Sequence, residues 1–182
     1  HTRYEFVTGV QTCALPIVNK SVLDVATGTG SLALDLSDQA EKVTGIDLSA
    51  DMLAVAEKKR RNRNLTFLLM DASNMPFPDE EFDVVTISLG LHDMPPAIRT
   101  LVLKEVKRVL KKDGKLYILE HGLPDNPLLG YISPGLVNTL ESKYYLDFIR
   151  SDFNQYLRSL GYTIEKQTNF LLGYLRLLTL SQ

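Results

Sequence analysis

The sequence predicts an α/β fold, a doubly wound sheet with helices on both faces, from three observations. From Val18 onward, short apolar segments alternate with amphipathic ones, a pattern typical of parallel strands connected by helices. A glycine-rich turn, Gly28-Thr-Gly30, follows the first apolar segment directly. Two further β-like segments near the C-terminus are separated by only a few residues, which predicts a hairpin at the end of the chain.

The predicted strands are short runs rich in β-branched, aromatic and aliphatic residues. The first five belong to the alternating part of the chain, and the last two form the hairpin. They cover residues 21–25, 42–47, 65–70, 82–88, 115–121, 163–170 and 174–180. The first five are expected to run parallel, because their connections are long and mostly helical.

Amphipathic helices are predicted between these strands, and the one over 96–112 is the clearest. Its apolar residues recur at helical spacing, two lysines suit its negative C-terminal end, and Gly114 suits the stop. The apolar stripe consists of Ile98, Leu101, Val102, Val106, Val109 and Leu110. Other helices are predicted over 31–38, from an N-cap at Ser49 to about residue 61, and over 152–160.

Composition and charge indicate one ordinary soluble domain of 182 residues. The chain is 45% hydrophobic and 23% charged with a net charge of -2, so no nucleic-acid partner is expected. The longest apolar run, 170–180, contains Gly173 and Arg176 and is about half the length that a membrane-spanning helix needs. We therefore expect a cytoplasmic protein without stable membrane insertion, while peripheral membrane contact and the oligomeric state stay open.

Residues 7–17 do not fit the pattern of the rest of the chain. Back-translated, Val7-Thr-Gly-Val-Gln-Thr-Cys-Ala-Leu-Pro-Ile17 reads like a common sequencing-library adapter, so residues 1–17 are expected to be a non-native segment. A real but unusual N-terminal segment is the alternative. Cys13, the only cysteine, then carries no functional information. Residues 18–182 are predicted to form the functional domain, truncated at its N-terminus, so weak ligand binding and little turnover are expected of this chain.

The glycine-rich turn predicts a nucleotide-type cofactor site. A tight turn after a parallel strand brings backbone N–H groups and a helix N-terminus close to a ligand, and glycine allows that approach. However, Gly28-Thr-Gly30-Ser-Leu-Ala33 also fits the G-x-G-x-x-A pattern of dinucleotide-binding folds. The turn alone therefore leaves an NAD enzyme open.

Three aspartates add to the turn. Asp24 lies inside the first strand, where a carboxylate is costly to bury without a partner, so we expect it to receive a cofactor ammonium group. Its alternative role is bonding to the backbone of its own turn. Asp47 ends the second strand, where an acid can accept both ribose hydroxyls. Asp71 follows the third strand and suits an adenine amino group or, alternatively, an N-cap or turn.

Seven motifs occur in a fixed order along the chain. They are Val22-Leu-Asp-Val-Ala-Thr-Gly-Thr-Gly30, Val43-Thr-Gly-Ile-Asp-Leu-Ser49, Met52-Leu-Ala-Val-Ala56, Met70-Asp-Ala72, Met75-Pro-Phe-Pro-Asp79, Phe82-Asp-Val-Val85 and Val109-Leu-Lys-Lys-Asp-Gly-Lys-Leu116. Together they resemble the class I S-adenosylmethionine-dependent methyltransferases and, within them, the ubiquinone/menaquinone biosynthesis C-methyltransferases. The resemblance is close over about 18–121 and looser beyond.

The resemblance implies S-adenosylmethionine as cofactor and a Rossmann-like sheet of seven strands, mostly parallel with an antiparallel terminal strand. The predicted cofactor contacts are Asp24, Ala26, Thr27, Gly28, Gly30, Asp47, Leu48, Met52, Asp71, Ala72, Ser88 and Leu89.

The methyl transfer is expected at the ends of the fourth and fifth strands, because ligands of open α/β sheets bind beyond the carboxyl ends of the strands. Transfer from a sulfonium needs alignment, a dry pocket and, if the nucleophile carries a proton, a base. Histidine suits that base, since its unperturbed pKa is about 6.5. The candidates are His92 first, then His121 and Asp93. A histidine at a strand end can instead be a satisfied polar residue.

A small, partly apolar methyl acceptor, such as a quinol or phenolic ring, is the predicted substrate. The quinone-pathway enzymes usually carry another residue where His92 stands, which leaves the acceptor open. No carboxylate cluster suggests a metal, so none is expected. Residues 122–142, with three prolines, are predicted to be a long connection that, with Tyr144 and Tyr145, forms a lid or a core-facing stripe. The competing interpretations are an NAD(P)-dependent oxidoreductase and a cofactor-binding fragment without activity.

Overall fold

A computed structural model describes residues 16–124 and 143–182, in which seven strands form one sheet. The strand order is β3-β2-β1-β4-β5-β7-β6. The strands are β1 (Ser21–Val25), β2 (Lys42–Asp47), β3 (Leu65–Leu69), β4 (Phe82–Ser88), β5 (Leu110–His121), β6 (Thr163–Phe170) and β7 (Leu175–Ser181). Neighbouring strands from β3 to β5 pair in parallel, whereas β7 is antiparallel to both β5 and β6. The predicted mostly parallel sheet with a terminal hairpin is confirmed.

Five α-helices connect the described strands. They are α1 (Ser31–Ser37), α2 (Ala50–Lys59), α3 (Pro96–Val109), α4 (Tyr145–Arg150) and α5 (Phe153–Ser159). Side chains cap two of them: Ser49 Oγ accepts from the backbone N–H of Met52 at 3.2 Å, and Asp152 accepts from that of Gln155 at 2.9 Å. The N-cap predicted at Ser49 is therefore confirmed.

The prediction for the end of α3 is wrong. The helix ends at Val109 rather than at 112, and β5 already begins at Leu110, whose backbone is extended. Leu110 pairs with Phe82 of β4, and the Lys111 ammonium lies 2.9 Å from Asp83 Oδ1. Strand pairing and this ion pair thus recruit residues that the helix-dipole argument had placed in the helix.

The apolar stripe predicted for α3 is also partly wrong. Ile98 and Leu101 are 37% and 46% exposed, whereas Leu103 is fully buried. The helix buries the face that carries Val102, Leu103 and Val106, and Arg99 lies buried on the same face. The helical spacing of apolar residues did not by itself distinguish the buried face from the exposed one, because leucine occurs on both faces.

Two hydrophobic layers, one on each face of the sheet, form the core. Leu23 and Val25 of β1 pack in the layer that includes α3 and α5. Val22 of the same strand packs in the layer that includes α1 and α2. Successive side chains of a strand point to opposite faces, so a strand buried on both faces is apolar at nearly every position. The doubly wound arrangement is confirmed.

The sheet order creates a switch point beside β1. The chain adds β2 on one side of β1 and later places β4 on the other side. The connection after β1 leads to one side of the sheet, and the connection after β4 leads to the other side. A crevice therefore opens at the carboxyl ends of β1 and β4, where ligands of such sheets bind. Among residues 16–124 and 143–182, none of the helices could span a lipid bilayer.

The N-terminal boundary of the native domain stays a prediction. Residues 1–15 and the predicted connection 125–142 lie outside the described residues. Ile17, the last residue of the segment expected to be non-native, is fully buried in the layer beside α1 and α2. Next to it, Val18 forms an isolated antiparallel bridge with Ala40.

Candidate active site

A cavity of about 550 Å³ lies at the switch point, within the size range of small-molecule sites. It is lined by the turns after β1, β2 and β4 and by the first residues of the helices that follow two of them. The lining residues are Asp24, Ala26, Thr27, Gly28, Thr29, Ser31, Leu32, Asp47, Ser49, Met52, Ser88, Leu89, Gly90, Asp93 and Met94. Eight predicted cofactor contacts are among them: Asp24, Ala26, Thr27, Gly28, Asp47, Met52, Ser88 and Leu89.

The two glycines of the turn have different roles. Gly28 has a φ of 56°, and a Cβ at this position would meet nothing within 4 Å, so its missing side chain keeps the cavity open. Gly30 has a φ of 73°, and a Cβ there would lie 2.5 Å from Cζ of Phe67. Gly30 therefore lets the start of α1 pack against β3, and it does not line the cavity.

Asp24 is a buried carboxylate held by two hydroxyl groups. Its Oδ2 accepts a hydrogen bond from Thr27 Oγ1, and its Oδ1 accepts one from Thr86 Oγ1, each at 2.6 Å. Burial raises the pKa of Asp24 to about 6, although both hydrogen bonds oppose that shift, and the charge of Asp47 adds to it. Among the described residues no lysine or arginine is paired with it. The site can therefore receive a cationic group beside Asp24.

Asp47 ties the glycine turn to the end of β2. Its Oδ2 accepts from the backbone N–H of Gly28, and its Oδ1 accepts from that of Ser49, both at 2.8 Å. The carboxylate thus fixes the positions of two turns that line the cavity. Its remaining lone pairs can accept hydrogen bonds from hydroxyl groups of a ligand.

Besides Gly30, three predicted cofactor contacts lie outside the cavity lining. Leu48 is 71% exposed, and Asp71 and Ala72 follow β3. Asp71 Oδ1 accepts from the backbone N–H of Ser73 at 2.8 Å, and this bond lowers the pKa of the carboxyl. That geometry matches the turn role given as the alternative for Asp71, while its contact with a cofactor stays a prediction.

Two non-glycine residues of the cavity wall adopt left-handed backbone conformations. Ala26 follows β1 with a φ of 55°, and Leu89 follows β4 with a φ of 52°. A Cβ added to Gly90 would lie 2.9 Å from the Cβ of Ala26, so the two turns approach closely. Strained backbone of this kind is concentrated at functional sites.

A buried histidine–glutamate cluster lies beside the cavity, at the ends of β4 and β5. His92 belongs to a short 3-10 turn (Leu91–Asp93) and is 3% exposed, and Glu120 and His121 end β5. His92 Nδ1 lies 2.8 Å from Glu120 Oε2, and the rings of His92 and His121 are stacked edge to face at 4.6 Å. Tyr145 of α4 packs against both histidine rings.

The three catalytic candidates are therefore neighbours, but they differ in access. Asp93 lines the cavity, while His92 lies behind it, with Nε2 at 3.6 Å from Asp93 Oδ2. His121 is 9% exposed, and its ring contacts the rings of both His92 and Tyr145. Their catalytic roles stay predictions.

His92, Glu120 and His121 are also the described group whose ligand atoms, within 4.8 Å of one another, could hold a metal. Both oxygens of Glu120 already accept hydrogen bonds, from the backbone N–H groups of Leu91 and His121 among others. The positive charge of Arg176 also acts on Glu120. These contacts favour a hydrogen-bonded cluster.

Some site residues were not predicted from the sequence. Thr29, Ser31, Leu32, Ser49, Gly90 and Met94 line the cavity without having been proposed as contacts. Glu120 was not among the catalytic candidates, although it is completely buried. A carboxylate inside the apolar run of β5 was a usable signal, since the same argument identified Asp24.

The chain is similar to known methyltransferases in sequence and fold. A model of the methyltransferase domain family matches residues 22–114. A demethylmenaquinone methyltransferase of Lactobacillus johnsonii is 43% identical over 114 residues, which cover 59% of this chain and 46% of that protein. A ubiquinone/menaquinone biosynthesis C-methyltransferase of Agrobacterium fabrum is 32% identical over 177 residues, covering 84% of this chain and 68% of that protein.

A solved structure supports the same assignment to the methyltransferases. A putative methyltransferase of Bacillus halodurans has a TM-score of 0.73 and 28% identity, covering 92% of this chain and 72% of its own. The chain spans about half the length of several curated relatives. The switch-point cavity, the two aspartates beside the glycine turn and these similarities lead to one conclusion. The chain belongs to the class I S-adenosylmethionine-dependent methyltransferases, of the ubiquinone/menaquinone biosynthesis type.

Proposed function

We propose that this domain transfers the methyl group of S-adenosylmethionine to a carbon or oxygen of a small, partly apolar ring that bears a hydroxyl group, such as a quinol. The observation that carries the proposal is the switch-point cavity. It joins the carboxylates of Asp24 and Asp47 to the turn that carries Asp93, beside the buried His92. A cofactor-binding end and an acid–base end thus belong to one site.

The groups at the cofactor end fit S-adenosylmethionine, which supplies a methyl group on a sulfonium, a good leaving group. Asp24 has two hydroxyl donors, and an ammonium group would complete its hydrogen bonds and neutralise its charge. Asp47 has lone pairs left for ribose hydroxyls after bonding two backbone N–H groups. Gly28 keeps the space beside these carboxylates clear.

His92 is the proposed base for the acceptor. Removing the hydroxyl proton of a quinol raises the electron density on its oxygen and on the adjacent ring carbons, so either atom becomes a better nucleophile. Burial of His92 among Tyr145, Phe148 and His121 gives it a largely apolar, aromatic environment. Such an environment excludes water and suits a flat, partly apolar ring.

The quinol class is supported by the relatives. The Lactobacillus johnsonii protein is a demethylmenaquinone methyltransferase, and the Agrobacterium fabrum protein is a C-methyltransferase of ubiquinone and menaquinone biosynthesis. We therefore place a hydroxylated naphthalene or benzene ring first among the acceptors. Transfer to its carbon ranks above transfer to its oxygen.

The test is methyl transfer from S-adenosylmethionine labelled in its methyl group. We expect label on a demethylated naphthoquinol, and the labelled atom can be read by mass spectrometry. The oxidised quinone is the matched control acceptor, because it has no hydroxyl proton for a base to remove. Equal labelling of quinol and quinone, or no labelling of any phenolic ring, would contradict the proposal.

A further inference from the structure

The carboxylate of Glu120 is an unusual feature of the interior. It lies at the end of β5, between Leu119 and His121, and is 0% exposed. A buried carboxylate is stable only when hydrogen bonds and charges compensate for the lost water. Its partners therefore indicate what it does.

Those partners hold the 3-10 turn and the histidine together. Oε1 accepts from the backbone N–H of Leu91 at 2.7 Å and from that of His92 at 3.4 Å. Oε2 lies 2.8 Å from His92 Nδ1 and accepts from the backbone N–H of His121 at 3.1 Å. Glu120 thus fixes both the backbone and the ring of His92.

Two arginines complete this arrangement. Arg99 of α3 donates from Nε to the carbonyl of Leu91 at 2.9 Å and from a terminal nitrogen to that of Met94 at 3.1 Å, which anchors the turn from its other side. Arg176 of β7 is the register partner of Glu120. Although burial opposes ionisation of Glu120, the hydrogen bond and charge of His92, together with the charge and backbone N–H of His121, hold the pKa of the carboxyl below its usual range.

An ionised carboxylate can only accept hydrogen bonds. The Nδ1 atom of His92 must therefore carry a proton, and in the neutral ring the lone pair is then on Nε2. The Nε2 atom lies on the Asp93 side of the ring, 3.6 Å from Asp93 Oδ2. Asp93 lines the cavity, so Nε2 faces the cavity side of the cluster.

We infer that Glu120 is a positioning residue that fixes the Nδ1–H tautomer of His92 and presents Nε2 as the proton acceptor of the site. The part of this inference that concerns the tautomer depends only on the cluster. The part that concerns turnover rests on the proposed function, in which His92 is the base.

The substitution Glu120→Gln tests the tautomer directly. With its oxygen at the Oε1 position, the amide still accepts from Leu91, and its NH₂ group then faces His92 Nδ1. This orientation loses the 3.1 Å bond from the His121 N–H, whereas the reverse orientation would lose the shorter 2.7 Å bond from the Leu91 N–H, so the first orientation is favoured. His92 Nδ1 must then accept, which moves the ring proton to Nε2.

The experiment is nitrogen NMR of ¹⁵N-histidine-labelled protein at about pH 8, with His92 signals assigned by their loss in His92→Gln. We expect the Nδ1–H tautomer in the wild type and the Nε2–H tautomer in Glu120→Gln. The matched control is Glu165→Gln, a surface glutamate paired with Lys115, which should leave the His92 signals unchanged. A wild-type His92 that carries its proton on Nε2, or on both nitrogens, would overturn the inference even if Glu120→Gln did not fold.

Kinetics supply the second measurement. We expect kcat of Glu120→Gln to fall about 100-fold or more with KM for S-adenosylmethionine nearly unchanged, because a base with its proton on the wrong nitrogen cannot accept another. A switched tautomer with unchanged kcat would overturn the positioning role. Absence of methyl transfer in the wild type would overturn the proposed function but leave the tautomer result standing.

Discussion

Asp24 shows at the scale of a single residue how a binding site can reduce stability. Its pKa of about 6 in the folded protein lies above the usual value of 3.8, mainly because the carboxylate is buried. The folded state therefore binds the proton more tightly than the unfolded chain does. Stability from this group is fully present below about pH 4 and is lost as the pH rises through about 6.

Asp24→Asn should therefore stabilise the protein without ligand at neutral pH. The shift corresponds to about 3 kcal/mol at most, and the amide can keep both threonine hydrogen bonds. We expect urea unfolding at about pH 8 to give a gain of about 1–3 kcal/mol that shrinks toward pH 4. Affinity for S-adenosylhomocysteine should fall at the same time.

Asp113→Asn, at an exposed position far from the glycine turn, is the control and should show neither effect. An Asp24→Asn protein that is less stable than the wild type at about pH 8 would mean that the carboxylate is compensated in the folded state.

His92→Ala tests the proposed base. Because His92 lies behind the cavity wall, the substitution should leave the affinity for S-adenosylhomocysteine nearly unchanged while kcat falls about 100-fold or more. Steady-state kinetics with the quinol acceptor and calorimetry with S-adenosylhomocysteine measure the two effects. Turnover at the wild-type rate would remove His92 from the mechanism.

At the scale of an element, the turn between β1 and α1 contains one glycine needed for packing, Gly30, and one that lines the ligand cavity, Gly28. Gly30→Ala combines a left-handed backbone with a Cβ placed 2.5 Å from Phe67 Cζ, so we expect a loss of about 2–4 kcal/mol in unfolding free energy. Gly28→Ala carries the backbone cost alone, about 1–2 kcal/mol, and its methyl group enters the cavity. It should weaken S-adenosylhomocysteine binding more than Gly30→Ala does.

Urea unfolding and ligand calorimetry on this matched pair check the prediction. Equal losses of stability in the two variants would show that the packing against Phe67 has no energetic weight.

The central strands β1, β2 and β4 have the predicted bounds, because most of their residues are buried on both faces. The end of α3 was not predictable in the same way, since Leu110 and Lys111 suit a helix locally and are drawn into β5 by pairing with β4. Nor did the sequence indicate that Ala26 and Leu89 adopt left-handed conformations, because these depend on the close approach of two turns.

The site was predictable where its chemistry is local to a motif. Asp24, Gly28 and Asp47 lie in the motifs that identified the family, and all three line the cavity. Glu120 and Arg99 act through contacts between elements distant in the chain, and their roles emerge only when β4, β5 and α3 are assembled. Long-range pairing of this kind leaves no periodic pattern in a single sequence.

At the scale of the whole molecule, the sheet order brings the two ends of the site together. Placing β4 next to β1 sets the turn of His92 and Asp93 beside the glycine turn, although more than 60 residues separate them in the chain. Helices on both faces hold the strands rigid, and the turns at their carboxyl ends carry the chemistry.

The most direct test of the cofactor assignment is the thermal unfolding of this chain with S-adenosylhomocysteine and, separately, with NADH. A ligand at 100 times its Kd stabilises the folded state by about 2.7 kcal/mol, which raises Tm of a domain this size by about 5–10 °C. We expect that increase with S-adenosylhomocysteine, a smaller one in Asp47→Ala, and none with NADH. Stabilisation by NADH alone would contradict the assignment of the site to S-adenosylmethionine.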